Sequence, residues 1–266
     1  MDYAEVQKRD LDVVLSGIRH FVPSEVLDCG QSFRWSGSGD SYSGIAHGRW
    51  LTVELKENEL ILKNVTLDEF NAVWRDYFDL GRDYGALRKI YAAVDITLKK
   101  ATEHFPGLRI MKQDPWETLV TFILSQNSNI PRIKGMVERL CERFDGMFPS
   151  PEEILNMDSL DYLRCGYRAP YILDAARRAA DGKLDLDMLT ERPTEEVKEA
   201  LLQVHGVGPK VADCVLLYGF GRLECYPMDV WMKRVMANYY PDGFPEEIKT
   251  TAGIAQQFLF HYIRTV

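Results

Sequence analysis

The sequence predicts an α+β fold, with an N-terminal antiparallel β-sheet domain plus helices over residues 1–100 and a mainly helical region over 101–266. Three observations lead there. Extended, turn-punctuated segments are confined to the first hundred residues, and helix-start signals recur from about residue 85 onward. A hydrophobic content of 46% over 266 residues is also enough to build a sizeable core.

In chain order, Gln31-Ser32-Phe33-Arg34-Trp35 and the alternation Leu51, Val53, Leu55 read as strands, with the turn-rich stretch Ser36 to Ser41 breaking them. Thr66 followed by Glu69 has capping-box spacing, and Phe70, Val73, Trp74 and Phe78 then line one face of a helix. Further helices are expected to start at Pro115, at Ser150-Pro151-Glu152-Glu153 and at Thr194-Glu195-Glu196.

Several function classes are excluded by composition. The longest apolar runs, Leu119 to Leu124 and Val215 to Tyr218, fall far short of the roughly 20 residues a membrane span needs. The first ten residues are rich in charge and lack an apolar signal core, so a cytoplasmic location is expected. Five cysteines, odd in number and widely spread, suit a reducing compartment; none forms a C-x-x-C pair, so no zinc or iron–sulfur site and no metal is expected. The formal charge of −8 argues against a nucleic-acid partner. A DNA-binding face would therefore have to be built locally, from backbone amides and a few placed cations.

The stretch 195–220 is the most informative. Val197, Ala200, Leu201 and Val204 form a helical stripe, and Val211, Cys214, Val215 and Tyr218 resume it. Between them His205-Gly206-Val207-Gly208-Pro209 reads as a hairpin in which Gly206 and Gly208 both permit positive φ and Pro209 opens the second helix. Free N–H groups at that helix start can hold a DNA phosphate without cationic side chains. A lone G-x-G is more often an ordinary αα-corner, but Lys210 follows directly. The positive end of a helix disfavours a cation, which favours presenting this amine in its neutral, nucleophilic form; the plain alternative is a solvated lysine. Asp229, in Tyr226-Pro227-Met228-Asp229-Val230-Trp231, reads as a helix N-cap and also as a carboxylate able to stabilise positive charge developing on a sugar.

The run Leu202 to Cys214, followed by Pro227-Met228-Asp229-Val230, resembles the hairpin, lysine and aspartate signature of the helix-hairpin-helix (HhH-GPD) DNA glycosylase superfamily. Other stretches are similar to its 8-oxoguanine DNA glycosylase/AP lyase branch. They are Gly30 to Trp35, Gln113-Asp114-Pro115, Asn127 to Arg132, Gly135 to Leu140, Gly166-Tyr167-Arg168-Ala169, and Ala255-Gln256 with Leu259-Phe260. The resemblance implies a helical HhH-GPD core in the second region and removal of 8-oxoguanine opposite cytosine from duplex DNA. Lys210 would be the Schiff-base nucleophile and Asp229 its carboxylate. A flipped base would sit between Phe260 and Cys214, with Gln256 on its Watson–Crick edge and the Gly30 carbonyl accepting the N7–H that only the oxidised base carries. Asn127, Arg132, Tyr167 and Arg168 would read the opposite cytosine, and Gly206 and Gly208 would shape the DNA-binding hairpin. No cofactor is required, although a structural K⁺ or Na⁺ on the hairpin carbonyls of 204–207 fits the resemblance. The protein would be a monomer acting on duplex DNA, with no membrane partner.

The sequence departs from the family pattern at two places: Trp231 stands where many members have histidine, and Ser128 where they have asparagine. The competing readings are a glycosylase for another damaged base using the same Lys210 and Asp229, and a non-catalytic module that only holds DNA.

Overall fold

The computed structural model of the protein describes residues 1–265. In chain order the helices are α1 (Pro23–Leu27), α2 (Leu67–Glu69), α3 (Arg75–Tyr77), α4 (Tyr84–Val94), α5 (Ile96–His104), α6 (Pro115–Ser125), α7 (Ile130–Glu142), α8 (Pro151–Leu155), α9 (Ala169–Ala180), α10 (Leu186–Thr190), α11 (Thr194–Leu202), α12 (Pro209–Tyr218), α13 (Val230–Tyr239) and α14 (Ala252–Thr265). The strands are β1 (Glu5–Arg9), β2 (Asp12–Ser16), β3 (Trp35–Ser38), β4 (Ser41–Ala46), β5 (Arg49–Lys56) and β6 (Glu59–Leu62). The chain forms two compact units, Met1–Lys112 together with the residues from Leu223 onward, and Gln113–Arg222.

The first unit contains a six-stranded antiparallel sheet in the order β1-β2-β6-β5-β4-β3. Val13 faces Leu62, which faces Val53, and Leu15 faces Leu60 in the same way. Because side chains alternate along a strand, this register puts Val13, Leu15, Leu51, Val53, Leu60 and Leu62 into one core, all fully buried. Trp35, Trp74, Tyr77 and Phe78 join that core; Trp74 stacks on Phe78 at 6.1 Å, and the Trp35 indole N–H donates to the Tyr77 hydroxyl at 2.8 Å.

The expected strand at 31–35 begins only at Trp35. Gln31 is buried and its side-chain amide donates to the carbonyls of Val26 and Arg109 while accepting from the Met111 N–H, so these bonds pin the segment as a loop in place of a sheet ladder. The turn expected over 36–41 is tighter than that, since β3 runs to Ser38 and β4 starts at Ser41. The β1–β2 hairpin had no sequence signal, because its charged outer positions mask the apolar run Val13-Val14-Leu15. Thr66 caps α2 as expected, accepting from Glu69 N at 3.1 Å, but the Glu69 carboxylate turns to the Trp74 indole N–H instead of closing the box.

The remaining helix starts agree with the sequence. Asp114 caps α6, whose residues Glu117 to Leu124 are all buried, and Ser150 with Glu153 forms a complete capping box on α8. Helix α11 starts at Thr194 without a side-chain cap. Among the described residues no strand follows Leu62. In the first unit, α14 packs on α4 and α5 through Tyr91 against Phe258 at 6.2 Å and His104 against Tyr262 at 5.9 Å.

Candidate functional site

The hairpin between α11 and α12 lies in the second unit. Gly206 has φ +80°, and a Cβ there would lie 2.3 Å from the Tyr171 ring, so both conformation and space demand glycine. Gly208 does not share this requirement: its φ of −100° is open to any residue and it serves as the extended N-cap of α12. Only the first glycine therefore makes the turn. The Val207 N–H closes it on the Val204 carbonyl at 3.0 Å. With no side chain capping α12, its first-turn amides are presented for an outside anion.

Sequence reasoning missed what anchors this hairpin. Asp174 on α9 accepts from the His205 N–H at 2.8 Å and from Arg178 Nε at 2.9 Å, while Tyr171 packs edge-on against His205 at 4.7 Å. Burial alone would raise the Asp174 pKa, but the His205 amide and the Arg178 guanidinium outweigh it and hold the carboxyl below its ordinary range. In the sequence, Asp174 and Arg178 look like an ordinary i,i+4 surface pair, which is why they drew no notice.

Lys210 is the second residue of α12. It is half-buried, and its Nζ lies 5.2 Å from the centre of the Phe122 ring on α6. Phe122 in turn stacks on Tyr218 at 5.4 Å. The carboxylate one turn further along, Asp213, is already paired with Lys198 Nζ at 2.6 Å, and burial nevertheless raises its pKa. Cys214 follows, buried and outside any disulfide.

Asn127, Tyr167 and Arg168 form a second cluster in this unit. The Asn127 backbone has φ +47°, and its amide donates to the Tyr167 hydroxyl at 2.9 Å. Tyr167 is exposed, with the Arg168 guanidinium 4.5 Å over its ring. Arg168 itself is buried. Its donors go to the backbone carbonyls of Gln126 at 2.9 Å, Cys165 at 3.0 Å and Asn127 at 3.2 Å, so here it shapes the 126–127 turn. Arg132 projects from the first turn of α7 and is exposed, while the Ser128 hydroxyl is buried without a hydrogen-bond partner.

The other site residues belong to the first unit. Asp229 is the N-cap of α13, with Oδ1 accepting from Met232 N at 2.8 Å. Trp231, in the first turn of α13, is exposed with the Arg234 guanidinium 5.3 Å from its ring centre. Gly30 sits at φ +87° between buried Cys29 and Gln31. Gln256 on α14 is 3% exposed, and its amide oxygen has no hydrogen-bond partner. An orphaned buried acceptor is costly, so it marks a place where a donor from outside belongs. Phe260, one turn on, is half-buried beneath the Arg264 guanidinium at 4.9 Å. Among the described residues no cluster of His, Cys, Asp and Glu could hold a metal ion.

Residues 13–119 match the family described as "8-oxoguanine DNA glycosylase, N-terminal domain", and residues 120–256 match "HhH-GPD superfamily base excision DNA repair protein". A Saccharomyces cerevisiae protein named N-glycosylase/DNA lyase is 32% identical over 263 residues, covering 82% of this chain and 68% of the yeast protein. The solved structure of MBOgg1 with a low-affinity DNA ligand is 42% identical at a TM-score of 0.91, covering 100% of this chain and 99% of that one. The Clostridium acetobutylicum 8-oxoguanine glycosylase/lyase, bound to duplex DNA with cytosine opposite 8-oxoguanine, is 33% identical at a TM-score of 0.90, with coverage of 100% and 99%.

Proposed function

The chain belongs to the HhH-GPD superfamily of base excision DNA repair proteins, and we propose that it removes 8-oxoguanine opposite cytosine from duplex DNA and then cleaves the strand as an AP lyase. The observation that carries this reading is Lys210. It is held at the second position of α12, directly after a glycine hairpin strapped to α9, with its amine against an aromatic ring and the neighbouring carboxylate taken by Lys198. This places a primary amine at a helix start, beside the first-turn amides that would hold a DNA phosphate, where it could reach the sugar of a bound nucleotide.

In the proposed reaction the Lys210 amine attacks C1′ of the damaged nucleotide. The C1′–N9 bond breaks with its electron pair leaving on the base, which takes up a proton. Opening of the sugar gives a Schiff base between Lys210 and C1′. Loss of a C2′ proton then expels the 3′-phosphate by β-elimination, and water releases the lysine. The Asp229 carboxylate stabilises the positive charge on the sugar.

Base choice would rest first on Gln256 and Gly30. The orphaned Gln256 oxygen suits a donor on the Watson–Crick edge of a guanine, and the Gly30 carbonyl would accept N7–H from the oxidised base alone. Phe260 and Cys214 would sandwich the base, and Asn127, Arg132, Tyr167 and Arg168 would fill and read the gap it leaves, with Arg168 acting mainly by holding the Asn127 turn. The first-turn amides after Gly206 and Gly208 would bind a backbone phosphate, which answers the objection raised by the net charge of −8.

A K⁺ or Na⁺ on the hairpin carbonyls belongs to the same proposal. The Val204 carbonyl accepts one N–H and keeps a second lone pair for such an ion. Five cysteines that form no disulfide suit a reducing cytoplasm, where the enzyme would be associated with DNA. No described helix is long and apolar enough to cross a membrane.

Borohydride trapping tests the reading. A covalent adduct with an 8-oxoguanine:cytosine duplex, lost in Lys210→Gln, is the expected result. Preference for an oxidised-pyrimidine duplex would keep the chemistry and overturn the substrate; tight DNA binding without any adduct would favour a non-catalytic module.

A further inference from the structure

The Gly30 carbonyl can sort oxidised from normal guanine only if its position is fixed to within tenths of an ångström, because one hydrogen bond carries the choice. Gly30 has no side chain with which to hold itself, and φ of +87° leaves its backbone permissive. Its position must come from its neighbours. Gln31, on one side, is tied by its amide to the Val26, Arg109 and Met111 backbones. On the other side the Cys29 thiol lies 3.4 Å from the Val26 carbonyl, to which it donates. Its sulfur lies 3.2 Å from Gln31 Nε2, whose two protons go to the Val26 and Arg109 carbonyls, and it accepts from Gln257 Nε2 at 3.7 Å.

Gln257 is the residue next to Gln256 on α14 and is 1% exposed. Its Nε2 also lies 2.9 Å from His261 Nε2, which accepts, so the His261 proton sits on Nδ1. The His261 ring meets Phe260 edge-on at 5.3 Å and Phe105 at 5.6 Å. A single side chain thus joins the loop that bears Gly30 to the helix that bears Gln256 and Phe260. Burial pushes the Cys29 thiol up to about 11, so it stays un-ionised and retains the proton that it donates.

We propose that Gln257 is a positioning residue that, through the Cys29 thiol and His261, sets the register between the Gly30 carbonyl and the face of α14 and thereby determines discrimination for the oxidised base. This rests on the reading of Gly30 and Gln256 as base contacts. An acid at position 257 cannot make both donations when ionised, and an apolar residue makes neither, so the requirement is for an amide. At position 29 a serine hydroxyl keeps the donor and acceptor that alanine lacks.

The test compares two reactions of the full chain in single-turnover assays: excision of 8-oxoguanine opposite cytosine, and β-elimination at a preformed abasic site, which has no base to recognise. Gln257→Leu and Cys29→Ala should each slow excision by about tenfold, the equivalent of one misplaced hydrogen bond, with lyase rates within about twofold of the native protein. Cys29→Ser should recover most of the excision rate. Binding of a guanine:cytosine duplex relative to the 8-oxoguanine duplex, in a Lys210→Gln background, should tighten by a similar factor in Gln257→Leu. Equal loss of excision and lyase rates would make the network a scaffold, and full excision in Gln257→Leu would remove its role altogether; either result overturns the proposal. If the native protein itself shows no preference for 8-oxoguanine, the base-contact reading fails, and the positioning role falls with it.

Discussion

Replacing His261 with glutamine should remove a specific acid sensitivity from the fold. Burial pushes the His261 imidazole down to about 4 from an ordinary 6.5, with the nearby Arg264 charge adding to the effect. A histidine kept neutral in the folded state binds fewer protons there than in the unfolded chain. Stability from this source is therefore complete above about pH 6.5 and is lost as pH falls toward about 4. At about pH 5 the loss is roughly 2 kcal/mol, and the limiting value at lower pH is roughly 3 kcal/mol. Glutamine retains an acceptor for Gln257 Nε2 and does not titrate. Urea unfolding at about pH 7.5 and about pH 5 measures the difference. With a slope of about 3 kcal/mol/M, the native midpoint should fall by about 0.7 M more than that of His261→Gln. Other groups titrate equally in both proteins and cancel. Equal midpoint changes in the two would refute the argument, because they would mean that His261 is solvated enough to protonate in the folded state.

Three further outcomes are expected. Gly206→Ala places a Cβ 2.3 Å from the Tyr171 ring at positive φ, whereas a Cβ at Gly208 meets nothing within 4 Å; DNA affinity by fluorescence anisotropy should fall about tenfold or more for the first and little for the second. Asp174→Ala removes the strap on His205 and should cost about 1 kcal/mol in urea unfolding and weaken abasic-duplex binding severalfold. The strap's contribution is present above the ordinary aspartate pKa of 3.8 and lost as pH falls through the lower folded value, so native and Asp174→Ala stabilities should converge only in strong acid. Arg109→Met strands the Asp2 carboxylate, which Arg109 Nη2 meets at 2.5 Å in the core, and should cost about 3–5 kcal/mol, read as a fall of roughly 10 °C in Tm. Adding Asp2→Asn should recover part of that loss.

What the sequence disclosed and what it hid divide along physical lines. Helix starts at Thr66, Ser150 and Asp229 were legible because a cap is a local contract between one side chain and an amide three residues on, and the start at Pro115 because proline suits a first helical position. The Lys210 hairpin was legible for the same reason, since turn, proline and lysine are contiguous. Strand 31–35 was misjudged because Gln31, polar and buried, draws its partners from Val26, Arg109 and Met111, far beyond any window of periodicity. Arg109 shows the same thing in reverse. A fully buried arginine that joins His20, Asp79, Asp2 and Tyr84 has no local signature at all.

That distinction bears on the site. Residues that touch a substrate tend to fall in short motifs, because several must be presented by one element; those that hold them in place are scattered and generic in type. Asp174, the strap on the hairpin, and Gln257, the link from α14 to the Gly30 loop, are both of the second kind. Each makes a bond to a segment more than 30 residues away in sequence. If one N7–H selects the base, as we propose, the choice would depend on this second set as much as on the first, because a displaced acceptor no longer makes the hydrogen bond that separates a donor from a lone pair.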